Sequence, residues 1–402
     1  MELMPGYKRS DVGVIPGNWA VESLGDLAHF VTSGSRGWAQ FYSDYGALFI
    51  RSQNVRDGLL RFDDIQYVSP PSGAEGNRTK VELNDLLITI TGNSVGNVAL
   101  VDQVFDEAYI SQHVGLVRLK DPAKGEYICR YLSPNSPGNF QIAGSQSGQS
   151  KPGLNLQNLK DFLIALPSSS EELHAITSAL SDVDALLATL EQMIAKKRDL
   201  KLAAMQQLLT GKIRLPGFNG AWEMKSLGDL AEIVMGQSPS SSNYNSIGNG
   251  LPLIQGNADI ANRWAIKRAY TTQVTKLGKA GDVLMSVRAP VGEVSRTMFD
   301  VCLGRGVCAI RYSNDFLYHT LVFLEPNWAR HSKGSTFDSV NSNDVQAVEI
   351  RLPVEEAEQI AIASMLSDMD VELSELETRL DKTRNLKQAM MQELLTGKTR
   401  LV

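Results

Sequence analysis

The chain has 402 residues, 43% hydrophobic and 21% charged, which is enough for two or more domains with their own cores and argues against disorder. A formal net charge of −6 excludes a chain that holds nucleic acid as a diffuse basic cloud. No apolar run approaches the roughly 18–20 residues of a membrane span, and the opening MELMPGYKRSDVGVIPG carries no apolar core of a signal peptide.

Charge broken down along the chain shows no basic block. Residues 1–168 carry 14 Lys and Arg against 17 Asp and Glu; residues 169–218 carry 6 of each. Residues 219–352 carry 13 against 12, and residues 353–402 carry 6 against 10. Any DNA binding must use local patches or a more basic partner. Cys129, Cys302 and Cys308 are odd in number and lack CxxC spacing. They read as free thiols of a reducing cytoplasm, so a cytoplasmic location is expected.

In chain order, Ala47–Ile50, Asp85–Ile90, Val98–Val101 and Val114–Leu119 are short apolar or β-branched runs bounded by Gly, Asn and Asp, and are predicted strands. Gly125–Leu132 is a predicted short helix. From Leu173 to Leu209 a long helix is predicted. Leu173, Ile176, Leu180, Val183, Leu187, Leu190 and Ile194 step by alternating threes and fours, the spacing of a coiled-coil seam. Gly211 then reads as the stop signal. In the second half, strands are predicted at Leu251–Ile254, Asp282–Val287 and Val307–Ile310, with a helix at Asp315–Leu324. A second long helix follows, with Ile362, Leu366, Met369, Leu373, Leu376 and Leu380 on its stripe and Gly397 at its end. An amphipathic helix laid on a globular core is the alternative reading. Two narrow stripes in the same register favour the helices pairing with each other.

These halves are a repeat. Asp182 and Asp368, and Gly211 and Gly397, both lie 186 residues apart, while Trp19-Ala-Val-Glu-Ser-Leu24-Gly-Asp-Leu27 and Trp222-Glu-Met-Lys-Ser-Leu227-Gly-Asp-Leu230 lie 203 apart. The length differences therefore fall inside the domains. The second helix ends in TGKTRLV just where the first continues into Pro216-Gly217, and Pro16-Gly17 near the N-terminus supplies that missing piece. The halves behave like a ring cut at one point. The predicted fold class is α+β: two similar mixed α/β domains, residues 1–168 and 214–353, and two long spacer helices within residues 169–213 and 354–402, in a pseudo-two-fold internal repeat.

No catalytic signature stands out. A DNA adenine methyltransferase needs an Asn/Asp-Pro-Pro-Tyr/Phe loop for a flipped base, and Ser69-Pro-Pro-Ser72 lacks both the amide or acid and the aromatic. Gly92-Asn-Ser-Val-Gly96 has the wrong glycine spacing for a dinucleotide loop, and Thr396-Gly-Lys-Thr399 follows a helix with Gln392 where a P-loop needs glycine. His29, His113, His174, His319 and His331 show no metal-ligand spacing, so no metal site is expected.

Base edges are read by paired donors and acceptors, Arg or Lys to guanine and Asn or Gln to adenine. Loops rich in these residues are the candidates. In the first half they are Arg51, Gln53 and Asn54, then Gln149 and Lys151 within Ser145–Lys151. In the second they are Gln255, Asn257, Arg263, Lys267 and Arg268, then Arg330–Lys333. Arg288 and Arg305 adjoin glycine-bearing turns and suit phosphates. Asn54 and Asn257 occupy matching places, which also fits equivalent turns. Ser111-Gln112-His113 is a polar triplet that suits either DNA contact or loop capping.

Gly281-Asp-Val-Leu-Met-Ser-Val-Arg-Ala-Pro-Val-Gly292, Gly304-Arg-Gly306, Gly334-Ser-Thr-Phe337, Val340-Asn341 and Leu394-Leu-Thr-Gly-Lys398 occur in an order that resembles the specificity subunits of type I restriction-modification systems. The first half carries the related Asn84-Asp-Leu-Leu-Ile-Thr-Ile-Thr-Gly92, Ser111-Gln-His113 and Gly153-Leu-Asn155. The resemblance covers essentially the whole chain. It implies two target-recognition domains, each reading half of a split double-stranded DNA sequence, held apart by the two helices packed antiparallel. It also implies two modification subunits that methylate adenine with S-adenosylmethionine, and a restriction subunit that uses ATP and Mg. The chain itself would hold no cofactor and catalyse nothing. A coiled-coil scaffold whose domains bind protein or carbohydrate is the alternative, favoured by the acidic charge.

Overall fold

The computed structural model describes residues 5–56, 58–70, 73–145, 153–328 and 339–401. The chain forms two compact units. The first is Met1–Glu191 together with Arg379–Val402, and the second is Gln192–Thr378. The division runs through both long helices, Ser170–Leu208 and Glu356–Leu394, each of 39 residues.

The first unit is built on a four-stranded antiparallel sheet in the order Val98–Leu100, Leu86–Thr89, Val114–Leu119, Ala28–Ser33. A second sheet runs Ala108–Ile110, Ala47–Ile50, Tyr67–Val68, Tyr42–Ser43, its first pair parallel. Residues 86–89 form an unbroken buried run because both faces of that strand are covered. Leu86 and Ile88 pack on Tyr127, Ile128 and Leu132 of the helix Gly125–Leu132. Leu87 packs instead with Ile50, Ala99, Ile110 and Leu116 between the sheets. A continuous apolar stretch is what two covered faces demand.

The second unit repeats this plan with more strands. Its larger sheet runs Glu232–Met235, Val307–Arg311, Val283–Ser286, Val294–Arg296, Trp264–Ala265, Ile260–Ala261. Its smaller sheet runs Tyr244–Asn245, Tyr270–Thr271, Leu251–Ile254, Val301–Leu303, Leu277–Gly278, with Leu251–Ile254 and Val301–Leu303 parallel. Val283 and Met285 pack on Leu317 and Leu321 of the helix Phe316–Leu324, while Leu284 faces Ile254, Leu303 and Ala309.

Two sequence motifs are thereby explained as scaffold. The acid of Asn84-Asp85 and of Gly281-Asp282 closes the turn before the central strand, accepting the Glu82 and Lys279 N–H groups at 2.7 Å in each case. Each acid is then clamped by an arginine of the next strand, Asp85 by Arg118 at 2.8 Å and Asp282 by Arg311 at 3.0 Å. Burial raises the pKa of Asp85, and the hydrogen bond from Arg118 works against it. Asn155 and Asn341 are N-caps with reciprocal capping boxes to Asn158 and Asp344.

All thirteen residues expected on the two helix stripes are buried or half-buried, Leu173, Ile176 and Ile362 among the buried ones. Leu180, Leu190, Ile194, Leu366, Leu373 and Leu380 are buried, and Val183, Leu187, Met369 and Leu376 are half-buried. In the first unit Asp184 bonds Lys387 at 2.6 Å and Glu191 bonds Arg384 at 2.8 Å. In the second, Arg198 bonds Glu377 at 2.5 Å, Lys201 bonds Asp370 and Lys197 bonds Glu372. The first helix contains an 18-residue window of mean hydropathy 1.2, long and apolar enough by composition to cross a membrane. Asp184 of that helix is also held by Arg130 at 2.7 Å.

Both helices stop at a left-handed glycine, Gly211 at φ +67° and Gly397 at φ +69°. At Gly397 a side chain is barred twice over, since a Cβ would also meet Pro16 at 2.5 Å; at Gly211 the left-handed φ is the bar, and a Cβ would press on the Trp222 ring at 3.2 Å. The end of the chain closes the first unit. Tyr7 donates to the Gly397 carbonyl at 2.8 Å, and Arg400 grips the buried Glu172.

Candidate nucleic-acid interface

In each unit the two sheets end together at one group of loops. In the first unit a turn closes by Val114 N–H to Ser111 O at 2.9 Å, and Ser111 N–H donates to Ile50 O at 2.8 Å. Ile90 N–H donates to His113 O at 2.9 Å, and Gly34 N–H to Val114 O at 3.2 Å. The second unit makes the same four bonds: Val307 to Gly304 at 3.2 Å, Gly304 to Ile254 at 2.8 Å, Val287 to Gly306 at 2.9 Å and Gly236 to Val307 at 3.0 Å. Gly34 and Gly236 are required for closeness, since a Cβ would stand 2.2 Å from the Ser111 carbonyl carbon and 2.1 Å from the Gly304 oxygen. Isolated bridges Thr91 to Gly153 and Arg288 to Ser339 extend the match.

The sequence-derived candidates fall on or near these ends, with unequal freedom. Asn54 is 3% exposed and spends its amide inside the chain, accepting from Arg51 N–H at 2.9 Å and donating to the Arg61 and Asp64 carbonyls at 2.8 and 3.0 Å. Its counterpart in the second unit is Asp259, not Asn257 as the sequence suggested. Asp259 accepts Gln255 N–H at 2.8 Å through its side chain and Ile266 N–H at 2.8 Å through its carbonyl, where Asn54 accepts Arg51 and Arg61. One extra residue, Gly256, shifts the register. Both amide atoms of Asn257 are buried without a hydrogen-bond partner.

Arg51 pairs with Asp64 at 2.9 Å, and Gln53 donates to the same carboxylate. Gln53, Asn54, Arg56, Asp64 and Ser94 line a shallow cavity of about 210 Å³. Arg263, held at φ +64°, is committed to Glu325 through two bonds of 2.6 and 2.8 Å. Lys267 lies over the Phe299 ring at 4.5 Å, and Arg268 donates to the Ala258 carbonyl. Gln255, Arg288 and Arg305 are exposed, and among the described residues none has a side-chain partner. Gln149, Lys151 and Arg330–Lys333 lie outside the described residues.

The polar triplet at the first loop end is more ordered than its sequence implies. Gln112 donates to His113 Nε2 at 3.0 Å, and His113 Nδ1 bonds Thr91 Oγ1. Arg78 ties down the adjoining strand end, donating to Thr32 and to Ser33 O at 2.6 Å and Ser35 Oγ at 2.5 Å. Nothing in the local sequence around Arg78 announces this, because its partners lie more than forty residues earlier. Among the described residues no group of three or more His, Cys, Asp or Glu could hold a metal ion.

A family model for the type I restriction modification DNA specificity domain matches the chain twice, over residues 16–197 and 219–383. The chain is 28% identical to the putative type I restriction enzyme MjaX specificity subunit of Methanocaldococcus jannaschii, over 98% of this chain and 97% of that one. The MjaVIII specificity subunit of the same organism is 21% identical over 53% of this chain and 50% of its own length. A solved chain described as showing complex assembly and conformational transition of the type I R-M system aligns with TM-score 0.61 and 25% identity, covering 96% of this chain and 99% of that one. The S subunit of a type I system from M. genitalium aligns with TM-score 0.62 over 98% of both chains at 15% identity, a likeness of fold.

Proposed function

This chain belongs to the type I restriction-modification DNA specificity family, and we propose that each of its two recognition domains reads one half of a bipartite double-stranded DNA target. It is the non-catalytic specificity subunit of such a system. The observation that carries the division of labour is the loop end built by the same four backbone bonds in both units and dressed with different exposed side chains. A shared frame with variable tips suits two readings by one architecture.

In this proposal the long helices pair antiparallel as a coiled coil, set the spacer between half-sites and dock two modification subunits. The inward stripe supports the pairing, and so does the pattern of ion pairs. Asp184 with Lys387 is the repeat image of Asp370 with Lys201, and Glu191 with Arg384 that of Glu377 with Arg198, each residue shifted by 186. Exposed ion pairs add little stability one by one, but such charges choose register and partner in coiled coils. S-adenosylmethionine belongs to the modification subunits, and ATP and Mg to a restriction subunit; the complex acts in the cytoplasm.

The acidic chain binds DNA weakly alone and gains specific affinity with its modification subunits. Gel-shift titration with and without those subunits tests this, followed by mapping of methylated adenines in cells carrying the system. A split motif with a fixed gap is expected. Methylation with no sequence preference, or a motif in one contiguous block, would sink the proposal.

A further inference from the structure

Gln112 and Arg305 hold the same place in the two units. Each is the middle residue of the tight turn between the strand that carries Ile110 or Leu303 and the strand that begins at Val114 or Val307. The turn's backbone is fixed by the four shared bonds and by the glycine packed against it. The side chains on this shared frame differ, the tip among them. We propose that this tip reads one base pair in each half-site, Gln112 an A·T pair and Arg305 a G·C pair; the inference rests on the DNA-specificity reading above.

The bonding of Gln112 presents it for adenine. Its amide N–H donates to His113 Nε2 at 3.0 Å, so that nitrogen must accept, and the ring's Nδ1–H is left to donate to Thr91 Oγ1. This chain fixes the plane of the amide. Among the described residues the carbonyl oxygen and the second N–H have no partner, one acceptor beside one donor. Adenine offers the complement, a donor at N6 beside an acceptor at N7.

Arg305 carries donors only, which suits the two acceptors of guanine, O6 and N7. Its backbone N–H is anchored by Ser238 Oγ at 3.1 Å, and its guanidinium has no partner among the described residues. The lock seen in the first unit is missing here for a simple reason. Gly306 stands where His113 does, and Arg288 stands where Thr91 does. An arginine fork is rigid by itself and needs no neighbouring ring to set its plane.

The test is to express the chain with its modification subunits and sequence methylated adenines genome-wide for wild type, Gln112→Ala, Gln112→Arg, Arg305→Ala and Arg305→Gln. Gln112→Ala is expected to lower discrimination roughly ten- to hundredfold at one A·T pair of one half-site and leave the other half-site intact. Arg305→Ala is expected to do the same at one G·C pair of the other half-site. The exchanges Gln112→Arg and Arg305→Gln should shift the preference at those same pairs toward G·C and A·T. Variants that methylate the unchanged wild-type motif overturn the assignment. So does a uniform loss of methylation at every site, which is the signature of a phosphate contact or a structural role. A wild-type chain that yields no bipartite motif would instead remove the DNA-specificity reading, whatever the variants do.

Discussion

Replacing Arg400 by alanine isolates one buried charge. Glu172, in the first turn of the first long helix, is 1% exposed, and Arg400 is 29% exposed. The guanidinium bonds both carboxylate oxygens, at 2.8 Å to Oε2, and Trp19 Nε1 donates to the same oxygen at 3.2 Å. Removing one partner of a buried pair costs roughly 3–5 kcal/mol because the other charge stays buried. Here Trp19 and the positive end of the helix remain, so the loss should sit near the lower limit, about 3 kcal/mol. The first unit comprises Met1–Glu191 and Arg379–Val402. For a body of that size about 3 kcal/mol lowers the melting temperature by roughly 6–12 °C. Calorimetry combined with peptide-resolved hydrogen exchange is the assay. Peptides of the first unit should exchange faster and those of Gln192–Thr378 should not change. Adding Glu172→Gln should restore more than half the loss, since a neutral amide no longer demands a cation. An Arg400→Ala chain that melts with the wild type, or a double variant no better than the single, would refute the reasoning.

Three further outcomes are expected. Four residues inserted in each long helix, near Leu190 and Leu376, add about 6 Å, so methylation mapping should return the same half-sites with a spacer longer by roughly one to two base pairs. Burial holds His319 neutral by lowering its pKa from 6.5 to about 3. Unfolding exposes a ring that takes up a proton, so stability present above about 6.5 is lost as the pH falls toward about 3, by up to about 1.4 kcal/mol per pH unit; denaturant midpoints for His319→Asn should lack this dependence. Burial also pushes the Cys129 and Cys308 thiols up to about 12, and Cys302 is buried too, so a thiol-reagent titration should find no fast-reacting thiol natively and three in denaturant.

The long helices and central strands were legible because their signals are local. A stripe of threes and fours needs only its own helix, and the run of 86–88 is apolar whatever covers it. The predicted start at Leu173 was three residues late, since Ser170 and the acidic Glu171-Glu172 turn carry no stripe. The strands Ala20–Ser23 and Trp222–Ser226 went unread because each pairs with a partner more than 120 residues away, Leu163–Leu166 and Glu349–Pro353. The same distance limits the site. Composition selected Arg263 and Arg51, but it could not see Glu325 or Asp64, which occupy them. It matched Asn54 to Asn257 because both are asparagines, whereas the turn conserves an acceptor oxygen and found it in Asp259.

Closure of the first unit by Arg379–Val402 sets an order of folding during synthesis. Every residue of the second unit, Gln192–Thr378, is contiguous, whereas the first unit needs Arg379–Val402 to complete it. At about 5–20 residues per second the ribosome takes roughly ten to forty seconds to make the intervening stretch. The stretch up to Glu191 is thus completed only after the second unit has been made. Until Leu394 and Leu395 reach the core around Trp19 and Ile176, the apolar surface they cover stays open to water or to a chaperone. A ribosome that stops before Arg379 releases a chain whose defect lies in the unit made before Gln192.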